Sequence, residues 1–309
     1  MKPVLRLALA ADLVALVTVV LGSWTRINGA GLTCPDWPLC RGRLLPSMMD
    51  GTLWEWTHRL LAFTVAPLVV ALVAVAWSKR NRSPFIGPTL AVIVALFFAQ
   101  VFLGAETVHL ANAPISVVLH WAAAMALIAA LSTMAVFAAA CDAIPQKRET
   151  SRAASLQSIS VGVTAIVAFA TMCIGAYVSS SGAGLACLSI PGCAGSVVIY
   201  TPGQYVQMLH RVAAAATLIC AAGALALVWA YSASNRLRGA VALGVALVAI
   251  QVLLGLLNVA LRLPMDLREA HAVNAALVFL TFFVATIFAV LDASPAGAHQ
   301  RLSQSSSQR

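Results

Sequence analysis

Four histidines stand inside long apolar stretches of this 309-residue chain: His58, His120, His210 and His271. Ionisable side chains in a hydrocarbon setting are costly and usually functional, so four of them are a statement about chemistry. They come as two matched pairs. Residues 22–40 read GSWTRINGAGLTCPDWPLC, and residues 175–193 read GAYVSSSGAGLACLSIPGC. At an offset of 153, Gly29, Gly31, Cys34 and Cys40 fall on Gly182, Gly184, Cys187 and Cys193. With small slips the register continues: His58-Arg59 falls on His210-Arg211, Gln100 on Gln251, Gly104 on Gly255, and His120 on His271.

Two neutral imidazoles facing each other in an apolar bundle suit the two axial positions of a haem iron, with the macrocycle between helices. Zinc or copper sites usually add carboxylates or thiolates, and none is repeated at the right depth. No C-x-x-C-H occurs, so such a haem is held without thioether links. A lone membrane histidine often does no more than bond a neighbouring helix. Four at equivalent depth, duplicated as pairs, argue against that reading. His109 and His299 have no counterpart in the repeat and carry no assignment.

Three further residue sets accompany the histidines. Arg59 and Arg211 each follow a ligand candidate, where a planar guanidinium can pair a haem propionate or reach up to lipid headgroups. Glu55 lies three residues before His58, on the same helical face, whereas the residue three before His210 is Gln207. A carboxylate at one site and an amide at the other point to one reactive site and one electron-carrying site. Thr52-Leu53-Trp54-Glu55 also reads as a capping box, and Thr201 to Gln204 as a second one. Cys34/Cys40 and Cys187/Cys193 form a C-x5-C pair in each outward loop. Under oxidising conditions each pair is expected to close as a disulfide, with Pro35, Pro38 and Pro191 favouring the turns. Cys141, Cys173 and Cys220 read as small apolar filler. Gly104 and Gly255 permit close approach of a ring or a helix, and Gln100 and Gln251 suit helix–helix hydrogen bonds.

The elements that must position these groups follow from composition. The chain is 61% hydrophobic and 9% charged, which indicates an all-α polytopic membrane protein. Its net charge of +9 sits in short loops between apolar runs, so it reads as a topology signal and excludes a nucleic-acid binder. Eight stretches can cross a bilayer, near 4–24, 54–77, 88–110, 115–140, 157–180, 205–231, 239–261 and 269–291. The first lacks a small-residue cleavage site and reads as a helix, not a removable signal. Twelve Lys and Arg residues collect on one side, among them Lys2, Lys79, Lys147 and Arg236, against five on the other. Both termini are therefore expected inside the plasma membrane, and loops 25–53 and 181–204 outside. The four histidines then lie within the first two turns of helices 2, 4, 6 and 8, beneath the outer surface. Two pseudo-symmetric four-helix halves follow, 1–145 and 146–295, with a Ser- and Gln-rich tail at 296–309 expected to be disordered.

These residues together resemble haem A synthase of the CtaA/Cox15 type over residues 1–295. The motifs are GAGLTCPDWPLC at 29–40, EWTHR at 55–59, His120, HR at 210–211, and His271. The resemblance implies an enzyme that oxidises the C8 methyl of haem O to the formyl of haem A, for terminal oxidase assembly. It implies that His58 and His120 hold haem O, that His210 and His271 hold a haem B cofactor, and that Glu55 is catalytic. Cys34 and Cys40 match the family's outer-loop pair, whereas Cys187 and Cys193 are not carried by every member. The implied substrate donor is haem O synthase, the protohaem farnesyltransferase. Membrane lipid is the surrounding partner, the electron acceptor is unnamed, and a homo-oligomer is allowed without being required. Two other readings stand beside this one: a di-haem electron-transfer cytochrome, and a thiol-disulfide oxidoreductase working through the loop cysteines.

Overall fold

Runs of Leu, Val, Ala, Ile and Phe close their backbone hydrogen bonds internally, the condition for crossing hydrocarbon. The computed structural model of the protein describes residues 1–140, 152–190, 192–193, 195 and 199–293. Eight long helices carry these: α1 (Lys2–Ile27), α2 (Thr52–Trp77), α3 (Ile86–His109), α4 (Pro114–Ala140), α5 (Arg152–Ser180), α6 (Pro202–Ala230), α7 (Asn235–Ala260) and α8 (Met265–Ala293). All eight are long and apolar enough to span a bilayer, at 24 to 29 residues each. The expected spans are all present, most of them extended by a few residues at one or both ends. Cys141, Lys147, Arg148, Pro191, His299, the junction between the two halves and the tail at 296–309 lie outside the described residues.

Within each half the first helix packs on the second and fourth, and the third on the fourth: α1 on α2 and α4, α3 on α4. In the second half α5 meets α6 and α8, and α7 meets α8. The halves join through α1, α4, α5 and α8. Burial follows that plan, since α4 and α8 bury 56% and 44% of their most apolar windows and the other six 17–28%. The first-half core includes Leu72, Ile93, Met125, Leu131 and Met134, and Met172 and Phe279 of the second half reach into it. The second core centres on Val161, Ala221, Leu237 and Phe282. Gly244 makes room for that phenylalanine: a Cβ there would stand 2.8 Å from Phe282 Cζ.

Polar groups tie the spans at a few points. Ser132 of α4 donates to Asp12 of α1 at 3.0 Å. Arg26 at the end of α1 donates to Ser179 of α5 at 2.9 Å, and these two residues stand 153 apart in sequence. The halves thus touch through equivalent positions of the repeat.

Only one of the two expected capping boxes forms. Thr201 and Gln204 cap α6 reciprocally. At α2 the cap is Gly51, at φ 82°, and Thr52 is the first helical residue with no side-chain bond to the helix N–H groups. The reason is competition, because Glu55 is taken by stronger partners in the preceding loop.

Candidate haem-ligand sites

Each histidine lies against a glycine of the helix before it. Cβ atoms built at Gly22 and Gly175 would stand 2.6 Å from His58 Cε1 and 2.8 Å from His210 Cε1. At Gly104 and Gly255 they would stand 3.1 Å from His120 Cε1 and 3.3 Å from His271 Cε1. Real Cβ atoms essentially never approach a non-bonded atom within 3.0 Å, so a side chain at either of the first two glycines would force the ring to shift. All four imidazoles are thereby seated inward against a neighbouring helix.

The seating also selects a tautomer. His58 Nδ1 lies 3.0 Å from the Thr18 carbonyl, and His210 Nδ1 lies 3.2 Å from the Thr171 carbonyl. A carbonyl accepts only, so Nδ1 carries the proton and Nε2 keeps its lone pair for a metal. The rings of His210 and His271 stand 6.3 Å apart at 75°. That spacing would let both imidazoles of the second pair reach one metal ion between them. Among the described residues, His120 Nδ1 and His271 Nδ1 have no hydrogen-bond partner. The Gln100 amide lies 3.4 Å from His120 Nε2, whereas Gln251 donates to the His271 carbonyl and accepts from Asn274. Both glutamines thus bridge helices, as their mid-helix positions suggested. Among the described residues no three His, Cys, Asp or Glu side chains gather as they would around an ion held by side chains alone.

In the first half the pair faces a cavity of about 310 Å³, lined by His58, His120, Glu55, Gln100, Gly104 and Trp121 among others. Its inner wall is α1 and α4. Arg26, Arg59 and Asn112 stand at the end beneath the 28–51 loop, with Trp37 of that loop above.

Both cysteine-bearing loops close over their helices in the same way. Cys34–Cys40 and Cys187–Cys193 are disulfide-bonded. Arg59 donates to the carbonyls of Asp36 at 2.6 Å, of Leu39, and of Cys34 at 2.9 Å. Arg211 donates to the carbonyls of Ser189, Gly192 and Cys187 at 2.7 to 2.8 Å. The three acceptors correspond one to one at the offset of 153. The terminal nitrogens of both arginines thus hold their loops, a role that the search for propionate partners did not foresee. Asp36 also takes the N–H groups of Gly42 at 2.7 Å and of Arg41. The Gly42 bond above all holds its carboxyl below the usual carboxylate range.

Glu55 and Gln207 prove to share one task. Glu55 Oε2 accepts from the Cys34 N–H and the Thr33 hydroxyl, each at 2.9 Å, and Oε1 pairs with Arg59 at 2.6 Å. Gln207 accepts from the Cys187 N–H and donates to the Gly184 carbonyl at 2.7 Å. Position 207 is therefore polar because it anchors the loop. The difference that remains is charge: Glu55 is a carboxylate, 4% exposed, on the wall of the first cavity.

The histidines lie in α2, α4, α6 and α8 and the cysteine pairs close as the sequence led one to expect, whereas Gly22, Gly175, Thr18 and Thr171 were not singled out there. Their signal was available, since Gly22 and Gly175, and Thr18 and Thr171, are each 153 apart.

Residues 6–283 match the COX15-CtaA family, described as a cytochrome oxidase assembly protein. The chain is 26% identical over 292 residues to the heme A synthase of Bacillus licheniformis, covering 92% of each. It is 29% identical over 303 residues to that of Bacillus pumilus, covering 94% of each. A shorter similarity, 39% over 119 residues, links 37% of this chain to 24% of protoheme IX farnesyltransferase 1 of Natronomonas pharaonis. With the family match running through all eight helices, this multi-pass membrane protein belongs to the COX15-CtaA family.

Proposed function

We propose that this protein is a haem A synthase, converting the C8 methyl of haem O to the formyl of haem A for oxidase assembly. The observation that carries the reading is the duplicated pair of glycine-seated imidazoles, one of each pair oriented by a backbone carbonyl, with the first pair opening on a cavity that also holds a buried carboxylate. The names of the full-length relatives support it.

In this reading His58 and His120 hold the substrate, and His210 and His271 hold a resident haem B in the second half. A bound haem supplies iron-centred electron transfer and the reactivity for C–H oxidation. The chain's own residues do the rest. Thr18 and Thr171 carbonyls fix the imidazoles with Nε2 forward. Glu55 Oε1 is positioned to take a proton as the methyl is oxidised, while Oε2 stays bound to the loop. Arg59 pairs with Oε1 at 2.6 Å and supplies the counter-charge to the buried carboxylate. The disulfide-closed loop places Gly31 and Trp37 over the cavity. Arg59 and Arg211 are proposed to meet a propionate as well as their loops, Arg59 through Nε–H, since both its terminal nitrogens are bonded to the loop carbonyls and Glu55.

The positive-inside bias puts both termini in the cytoplasm and the haem pairs near the outer face of the plasma membrane. The short similarity to a farnesyltransferase supports the enzyme that makes haem O as the neighbour supplying it. The test is expression with a haem O-forming farnesyltransferase under air, followed by pigment extraction and chromatography. Haem A is expected from the intact protein. Haem O alone would reject the synthase and leave a di-haem electron-transfer protein.

A further inference from the structure

The first cavity is not closed on all sides. Its α1 and α4 walls are buried, with Ala15, Thr18, Ala124 and Leu127 all between 4% and 8% exposed. On the α2 and α3 side, Phe63 and Val101 line the same cavity yet are 49% and 39% exposed. Half-exposed side chains on both of these helices mark the α2 and α3 side as the least covered wall of the cavity. The helix packing agrees: α2 touches α3 sparsely, whereas α6 and α7, their counterparts, lie closer along their length. Two small side chains on α2, Ala62 and Ala66, one turn apart, keep the gap clear. At the 152-residue spacing of His58 and His210, Ala66 corresponds to the larger Leu218.

We propose that this gap is a lateral portal in which the isoprenoid tail of the substrate lies, half in the cavity and half in the bilayer. The proposal rests on the first half being the haem O site. Every side chain at the gap is hydrocarbon, and the surrounding solvent at this level is lipid, so nothing water-borne can use it. The Arg and Glu side chains of the cavity, Arg26, Glu55 and Arg59, stand with Asn112 at the end beneath the 28–51 loop. An amphiphile with acidic groups on one edge and a long hydrocarbon chain on another is therefore sorted by the site itself. Its acids meet the basic rim, and its chain leaves sideways between α2 and α3. A macrocycle lacking that chain loses the apolar contacts with Ala62, Phe63, Ala66 and Val101. These residues would then discriminate a farnesylated haem from one that is not.

Two measurements test it on the full-length protein in lipid nanodiscs. In the first, haem O and haem B are titrated into the first site by Soret absorbance, for the parent, Ala66→Phe and Phe63→Ala. Ala66→Phe is expected to weaken haem O binding roughly tenfold or more, since displacing two methylene groups amounts to about that factor. Haem B binding to the same site should change by less than about twofold on that scale. Equal losses for both haems, or none for either, would overturn the portal. Retention of the second-half haem spectrum serves as the folding control, and should Ala66→Phe fail it, Val101→Phe from the opposite rim takes its place. In the second, a haem carrying a diazirine at the end of its farnesyl chain is photolysed on the parent protein. Labelling of α2 and α3 around Phe63 and Val101, abolished by excess haem O, is expected. Labelling confined to α1, α4 or the 29–43 loop would refute the proposal. Neither readout requires haem A to form, so a failed portal and a failed synthase reading are told apart.

Discussion

Gly175→Ala adds one methyl group to the membrane interior and should dislodge a haem. The added Cβ would stand 2.8 Å from His210 Cε1 and 3.3 Å from Nδ1. Carbon atoms rest comfortably at about 3.5–4.0 Å, so the ring must withdraw by roughly 0.7–1.2 Å. The bond from His210 Nδ1 to the Thr171 carbonyl, already 3.2 Å long, does not survive that movement. Losing it costs about 1 kcal/mol and overpacking about 1–3 kcal/mol more, so haem retention should fall by about 2–4 kcal/mol, or roughly 30- to 700-fold. Gly255→Ala is the matched control, because its Cβ would lie 3.3 Å from His271 Cε1, a contact relieved by a few tenths of an ångström. Its cost should stay below about 1 kcal/mol, under roughly fivefold. Considered as helix residues alone, both substitutions would stabilise their helices by about 0.5–1 kcal/mol and leave haem untouched. The assay is haem per chain in purified protein, by pyridine haemochrome, with the reduced-minus-oxidised spectrum of the low-spin haem. Full occupancy and an unchanged spectrum in Gly175→Ala, or equal damage from Gly255→Ala, would refute the seating argument.

Other outcomes follow from the loop clamps. Glu55→Gln keeps an oxygen for the Cys34 N–H, as Gln207 does for Cys187, so both haems should remain bound while aldehyde formation stops; normal haem A in extracted pigments would contradict this. Arg59→Met removes the 2.6 Å ion pair and leaves Glu55 buried without its counter-charge, a cost of about 3–5 kcal/mol. Arg211→Met faces a neutral Gln207 and should cost clearly less; tryptophan-monitored thermal unfolding that ranks them the other way would exclude the charge argument. Replacing Cys34 and Cys40 together by Ser releases a short covalent loop, worth about 2 kcal/mol in chain entropy. Faster amide exchange through residues 29–43 is then expected, and unchanged protection of the Cys34 amide would show that Arg59 and Glu55 hold the loop unaided.

The bilayer made much of this molecule legible in its sequence. Eight spans, the internal repeat and the histidine pairs are periodic features, and a hydrocarbon solvent leaves few alternatives for them. What escaped was set by contacts between distant segments. Thr52 and Glu55 carry a capping-box pattern, but the Cys34 amide, the Thr33 hydroxyl and Arg59 compete for the carboxylate and win. That Arg59 and Arg211 also hold their loops was hidden, because adjacency to a histidine was visible and the carbonyls of loops some 20 residues away were not. The role of Gln207 was hidden for the same reason, since its partner is the Cys187 amide 20 residues upstream. Gly22 and Gly175 were readable in principle, because both halves keep them. A glycine, however, signals a close approach without naming what approaches.

Counting and ligand assignment of haem in one preparation bears most directly on the account. Protein made in haem O-forming cells, kept anaerobic and purified in nanodiscs, should carry two haems per chain. Low-temperature electron paramagnetic resonance of the oxidised form should give bis-imidazole signals for both. His271→Ala should lose the second-half signal alone, and His120→Ala the first. One haem per chain, or an axial ligand other than histidine at either site, would contradict the claim that the repeated imidazole pairs exist to clasp two irons.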